Sequence, residues 1–125
     1  MRKLIKNISK HKYLIAAAGY TLWLTAVSLT PLEGIELPSF RMADKIVHFF
    51  LYFFFVILWL KASTYFSHHL IYLLIIAVIW GIVIEFLQEY FIPTRSGDVY
   101  DALANTLGAI SAAGFYRYYK GRFFK

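Results

Sequence analysis

The sequence predicts an all-α integral membrane bundle of four transmembrane helices with both chain ends in the cytoplasm. Three observations predict it: an apolar composition, four long apolar segments separated by short polar breaks, and an uneven placement of basic residues. Of the 125 residues, 60% are hydrophobic and 16% are charged, against about 25% charged in a soluble domain. Such a chain lacks the polar surface to stay in water alone. A helical span takes about 20 largely apolar residues, so the length fits four spans joined by short loops in one domain, residues 1–125.

The first element, about residues 13–30, carries no charge and is interrupted only by Gly19 and small hydroxyls. A basic start before an apolar run also fits a signal peptide, with Ala26-Val27-Ser28 as the cleavage site. The length of the run and the spans that follow favour a retained helix. Residues 30–43 contain Pro31, Gly34, Pro38, Glu33 and Glu36, which make a loop. The second helix is expected at about 44–61. Its stretch Phe49-Phe50-Leu51-Tyr52-Phe53-Phe54-Phe55 has no alternating polar face, so a lipid-facing helix fits better than a half-exposed strand. After a short connection to His69, a third helix is expected at about 70–91, ended by a turn at Pro93-Thr94-Arg95-Ser96-Gly97. The fourth, about 98–119, repeats small residues every fourth position: Ala104, Gly108 and Ala112, then Asn105, Ala109 and Ala113. This spacing lets one helix backbone approach another closely in a membrane.

The net charge of +6 could attract nucleic acid, but its placement argues for lipid head groups instead. Arg2, Lys3, Lys6, Lys10 and Lys12 precede the first apolar run, and Arg117, Lys120, Arg122 and Lys125 close the last. With the N-terminus inside, these and Lys61 lie on the cytoplasmic side, leaving only Arg41, Lys45 and Arg95 outside. A membrane crossed several times is the expected location. All seven acidic residues then fall in outer loops or at outward helix ends. There is no cysteine, which excludes disulfides, thiolate metal sites and cysteine nucleophiles.

Helix direction brings several polar side chains to one depth near the outer face. His48 lies about 6 Å below Asp44, and Glu85 about 9 Å below Phe91, at 1.5 Å per residue. Residues three or four apart share a helix face. Asp44, His48 and Tyr52 therefore align on the second helix with Lys45 beside them. Gly81, Glu85, Gln88 and Glu89 align on the third, and Asp98, Asp101, Asn105 and Gly108 on the fourth. Ionisable groups inside a span are costly and usually face a bundle interior or a watery cavity. A polar pocket opening outward is the expected solution.

Asp44-Lys45-Ile46-Val47-His48-Phe49, Gly81 to Glu85 with Gln88, and Arg95 followed by Asp101-Ala102-Leu103-Ala104-Asn105-Thr106-Leu107-Gly108 stand in an order and spacing that resembles the VanZ family. The resemblance covers roughly residues 44–113. It implies a small bacterial membrane protein related to a determinant of teicoplanin resistance. The shared polar positions are Asp44, Lys45, His48, Glu85, Gln88, Arg95, Asp101, Asn105 and Gly108.

Each candidate also has a plain structural reading. Asp44 stands where a helix N-cap is expected, and Asp is a preferred cap. Asp98 and Asp101 complement the macrodipole of a helix start. Arg95 suits a phosphate or carboxylate, or else pairs with Asp101 or Glu89. His48, Glu85 and Asp101 are ligand types suited to zinc. No HExxH or comparable spacing accompanies them, so no dedicated metal site or cofactor is expected. Ser96 lacks a nucleophile-elbow context. His68 and His69 form an interfacial pair on the cytoplasmic side.

Three functions follow. The first is a binding or envelope-modulating protein whose pocket of Asp44, Lys45, His48, Glu85, Gln88, Arg95, Asp101 and Asn105 engages an amphiphile. The amphiphile would be a membrane lipid, a lipid-linked cell-wall component or a lipoglycopeptide. The second is a membrane-embedded enzyme acting on a lipid or lipid-linked cell-wall precursor, with His48, Glu85 or Asp101 in the catalytic roles. In the third, the polar groups only tie helices together.

Overall fold

The computed structural model describes Arg2 and residues 11–30, 41–92 and 99–119. These form α1 (Lys12–Ser28), α2 (Arg41–Ala62), a short α3 (Thr64–His68), α4 (Leu70–Phe91) and α5 (Val99–Tyr119). No strand occurs among the described residues. The four long helices follow the four apolar segments. Two differences concern boundaries. Helix α2 begins at Arg41, so Asp44 lies inside its first turn and does not occupy the N-cap expected of it. The connection after Lys61 contains α3, five residues that are too few to show a periodic pattern. Ser63 starts it, in an extended conformation, its hydroxyl accepting a bond from the Phe66 N–H at 3.3 Å.

Side-chain pairs fix the direction of each helix. Lys61 lies 4.6 Å from the Tyr13 ring, and the Trp59 indole donates to Thr21 Oγ1 at 2.9 Å, so α1 and α2 run antiparallel. His48 faces Glu85 while Tyr52, one turn on, packs against Gly81, which makes α2 and α4 antiparallel. Lys45 meets Asp101, His48 meets Asn105, and Phe53 stacks edge-on against Phe115 at 5.7 Å, so α2 and α5 run parallel. The long helices therefore alternate up and down. The start of α1, the end of α2 and the end of α5 share one end of the bundle, together with α3.

Helix α2 is the axis of this arrangement, packed on α1, α4 and α5. Its Tyr52, Phe55, Val56 and Leu60 form one buried cluster with Leu24, Leu73, Ala77, Ala109, Ala112 and Tyr116. The contact with α5 is close at Gly108, where an added Cβ would run into the Phe49 carbonyl. Only a residue without a side chain permits that approach. The small-residue spacing of α5 is thus used against α2.

Large apolar residues meanwhile point outward from every long helix, among them Leu22, Phe50, Ile79 and Leu107. Polar groups inside and apolar groups outside reverse the pattern of a protein in water. Two segments, 45–62 and 70–91, are long and apolar enough to cross a bilayer. Helix α1, with 17 residues, spans about 26 Å, somewhat less than a hydrocarbon core of about 30 Å. Helix α5 is long enough, but its inner face is given over to alanine and glycine, which lowers its apolar character.

Candidate functional site

The end of the bundle opposite α3 gathers five polar side chains from three helices. His48 is 8% exposed, Glu85 8%, Gln88 2%, Asp101 5% and Asn105 2%, so all five face the interior. Helical spacing explains the grouping. Lys45 and His48 share the face of α2 that continues through Tyr52. Glu85 and Gln88 continue the Gly81 face of α4, and Asp101 and Asn105 the Gly108 face of α5. Because α2 and α5 are parallel and in register, Lys45 meets Asp101 one turn above the level where His48 meets Asn105.

His48 is the centre of the cluster. Its Nδ1 lies 3.0 Å from Asn105 Oδ1 and 3.9 Å from Glu85 Oε1, while Nε2 lies 3.5 Å from Asp101 Oδ2. The second oxygen of Asp101 accepts from the Lys45 ammonium at 2.5 Å. With Asn105 presenting its carbonyl oxygen, Nδ1 is the donor and Nε2 is turned to Asp101. One ligand atom each from His48, Glu85 and Asp101 can be chosen so that all lie within 4.8 Å of one another. Gly81 gives the cluster room, since a Cβ there would stand 3.1 Å from Asn105 Nδ2.

A family comparison decides what kind of chain this is. The sequence model described as VanZ/LLP1 matches residues 4–122, nearly the whole length. The chain belongs to the VanZ/LLP1 family. No protein with a curated description matches it, and no solved structure does. VanZ/LLP1 membership and the two apolar helices are together consistent with a membrane protein.

Of the residues the sequence singles out, Lys45, His48, Glu85, Gln88, Asp101 and Asn105 come together at this end. Gln88 does so differently from the rest: its amide donates at 2.6 Å to the carbonyl of Ser28, tying α4 to the last turn of α1. Glu89, expected on the same face, is exposed. The side chain of Asp44 lies outside the described residues, as do Arg95, Asp98 and the loop residue Ser96. His68 and His69 sit at the opposite end, where His69 stacks on Tyr65 at 4.4 Å and neither residue approaches the cluster.

Two contributions to the site have no pattern in the sequence, a backbone carbonyl and the state of a hydroxyl. Ser28 supplies only a backbone carbonyl. Tyr52 buries a hydroxyl that has no hydrogen-bond partner among the described residues. Its place on the His48 face was legible, but not the state of its hydroxyl.

Proposed function

We propose that this VanZ/LLP1 chain crosses the bacterial inner membrane four times with both ends in the cytoplasm, and that its polar cluster opens outward to engage the head group of an amphiphile. The single observation that carries the reading is the burial of His48, Glu85, Gln88, Asp101 and Asn105 at one end of a bundle whose outer surface is apolar. A bilayer gives no return for hiding ionisable groups unless they bind something or hold helices together. Lys45 and the acidic pair supply both charges that a polar head group needs, and the Phe-rich face of α2 supplies a surface for acyl chains. The basic segments before α1 and after α5 would then face the anionic inner leaflet. A lipid, a lipid-linked cell-wall component or a lipoglycopeptide such as teicoplanin fits this chemistry.

One observation favours a rival, purely structural reading: Lys45–Asp101 and His48–Asn105 are already internal ties between α2 and α5. The two readings separate when membrane abundance, teicoplanin susceptibility and lipid retained by the purified protein are measured on the same His48→Ala, Glu85→Ala and Asn105→Ala variants. Loss of susceptibility change and of retained lipid at normal abundance supports head-group binding. Effects that follow abundance alone refute it.

A further inference from the structure

We infer that His48, Glu85 and Asp101 form a site for one divalent metal ion of the zinc class, which takes an anionic oxygen of the bound amphiphile as a further ligand. This rests on the head-group reading above and gives that site its chemistry.

The donor set comes first. One imidazole and two carboxylates, all buried, lie on three different helices with their ligand atoms within 4.8 Å. Such a set suits zinc or a neighbouring first-row ion better than calcium or magnesium, which prefer oxygen alone. Tetrahedral zinc with bonds of about 2.0–2.1 Å puts its ligand atoms about 3.3 Å apart. His48 Nε2 and Asp101 Oδ2 stand 3.5 Å apart already. Glu85 Oε1 stands 3.9 Å from Nδ1, within the 4.8 Å bound of the set, so binding at Nε2 requires its side chain to rotate towards Asp101.

The surroundings supply a second, independent observation. A histidine that binds a metal through one nitrogen almost always donates its other N–H to an oxygen that fixes the ring. Asn105 Oδ1 does this at Nδ1, which directs Nε2 at Asp101. Lys45 holds the far oxygen of Asp101 and leaves the near one turned to His48. Tyr52, one turn deeper, adds a buried hydroxyl without a hydrogen-bond partner among the described residues. Three protein ligands leave a zinc ion an open position, which is where a phosphate or carboxylate oxygen would bind. Local motif spacing could not reveal this set, because no two of its ligands share a helix.

The test uses the full chain, purified in detergent without a polyhistidine tag or chelator, with Zn2+ as the probe and metal read by elemental analysis. The expected result is about one zinc per chain. A Co2+-loaded sample should show the intense visible bands of four- or five-coordinate cobalt in place of the weak bands of the hexaaqua ion. Glu85→Gln and Asp101→Asn should release the metal, and Asn105→Ala should weaken it by about 10–100-fold. His11→Ala and the pair His68→Ala with His69→Ala should keep it. Wild-type protein that is folded yet binds no zinc overturns the inference whatever the variants do, and so does zinc lost on replacing His68 and His69. Native mass spectrometry of the same samples keeps the two ideas apart. Retained amphiphile without metal refutes only the metal site, and metal without amphiphile refutes the head-group reading.

Discussion

Replacing Gly108 by alanine tests the close approach of α5 to α2. The new methyl would be placed on the Phe49 carbonyl, with Phe49 Cα only 3.2 Å away. Because backbone is what it strikes, no side-chain rotation relieves the clash and α2 and α5 must separate. Overpacking of this kind costs about 1–3 kcal/mol, and a mid-range cost of about 2 kcal/mol shifts an unfolding equilibrium by about 30-fold. Gly114 lies on the same helix with nothing within 4 Å of an added Cβ, and Gly19 on α1 is equally open. Alanine there should be neutral or stabilising by up to about 1 kcal/mol, since glycine is the weaker helix former. Unfolding of the three purified variants, titrated with denaturing detergent and followed by tryptophan fluorescence, compares them directly. If Gly108→Ala is as stable as Gly114→Ala, the close α2–α5 approach is wrong. The site built across that interface falls with it.

Asp101→Asn leaves the Lys45 ammonium without its carboxylate. Losing one partner of a buried pair costs about 3–5 kcal/mol, but Lys45 is 20% exposed at its side chain, so about 2 kcal/mol is expected. Adding Lys45→Met should recover part of this in a double-mutant cycle, whereas strict additivity would deny that the two residues interact. Gln88→Leu removes the bond to Ser28 and should cost about 0.6–1.7 kcal/mol, the range for interhelical bonds in membranes, with faster hydrogen exchange confined to the end of α1; unchanged exchange there refutes the tie. Topology can be read without background because the chain has no cysteine. Ser96→Cys should react with an impermeant thiol reagent added to intact cells and Lys120→Cys should not, and the reverse pattern would invert the proposed orientation.

Much of the architecture was legible because it depends on simple periodicities. Apolar run length marked α1, α2, α4 and α5, and the three-and-four spacing put His48, Glu85, Asp101 and Asn105 on faces that the structure turns inward. The glycine and alanine repeat of α5 announced a close neighbour but not which one; α2 is that neighbour because parallel, in-register packing aligns Gly108 with Phe49. Less legible were features with no periodic signature. Helix α3 is a single turn set by the Ser63 hydroxyl. The start of α2 at Arg41 comes before its apolar run, so Asp44 looked like a cap. Gln88 lies on the same face as Glu85, yet it reaches a backbone carbonyl of α1 that no side-chain pattern encodes. Glu89 is only one residue further on, and that rotation of about 100° carries it out to the surface.

The candidate site depends on one histidine lying between two carboxylates contributed by different helices. Replacing His11, His68 and His69 by asparagine leaves His48 as the only imidazole, since the chain has four histidines. Solid-state NMR on membranes containing that protein, with 15N in the imidazole and 13C in the Asp and Glu carboxyls, can then measure the separations without altering the site. Oxygen distances of 3.5 Å to Asp101 and 3.9 Å to Glu85 place both carboxyl carbons within about 5 Å of a ring nitrogen, one C–O bond of about 1.2 Å further on. Dipolar dephasing by two carboxyls at that range is the predicted result. A ring that no carboxyl dephases would contradict the site and everything proposed from it.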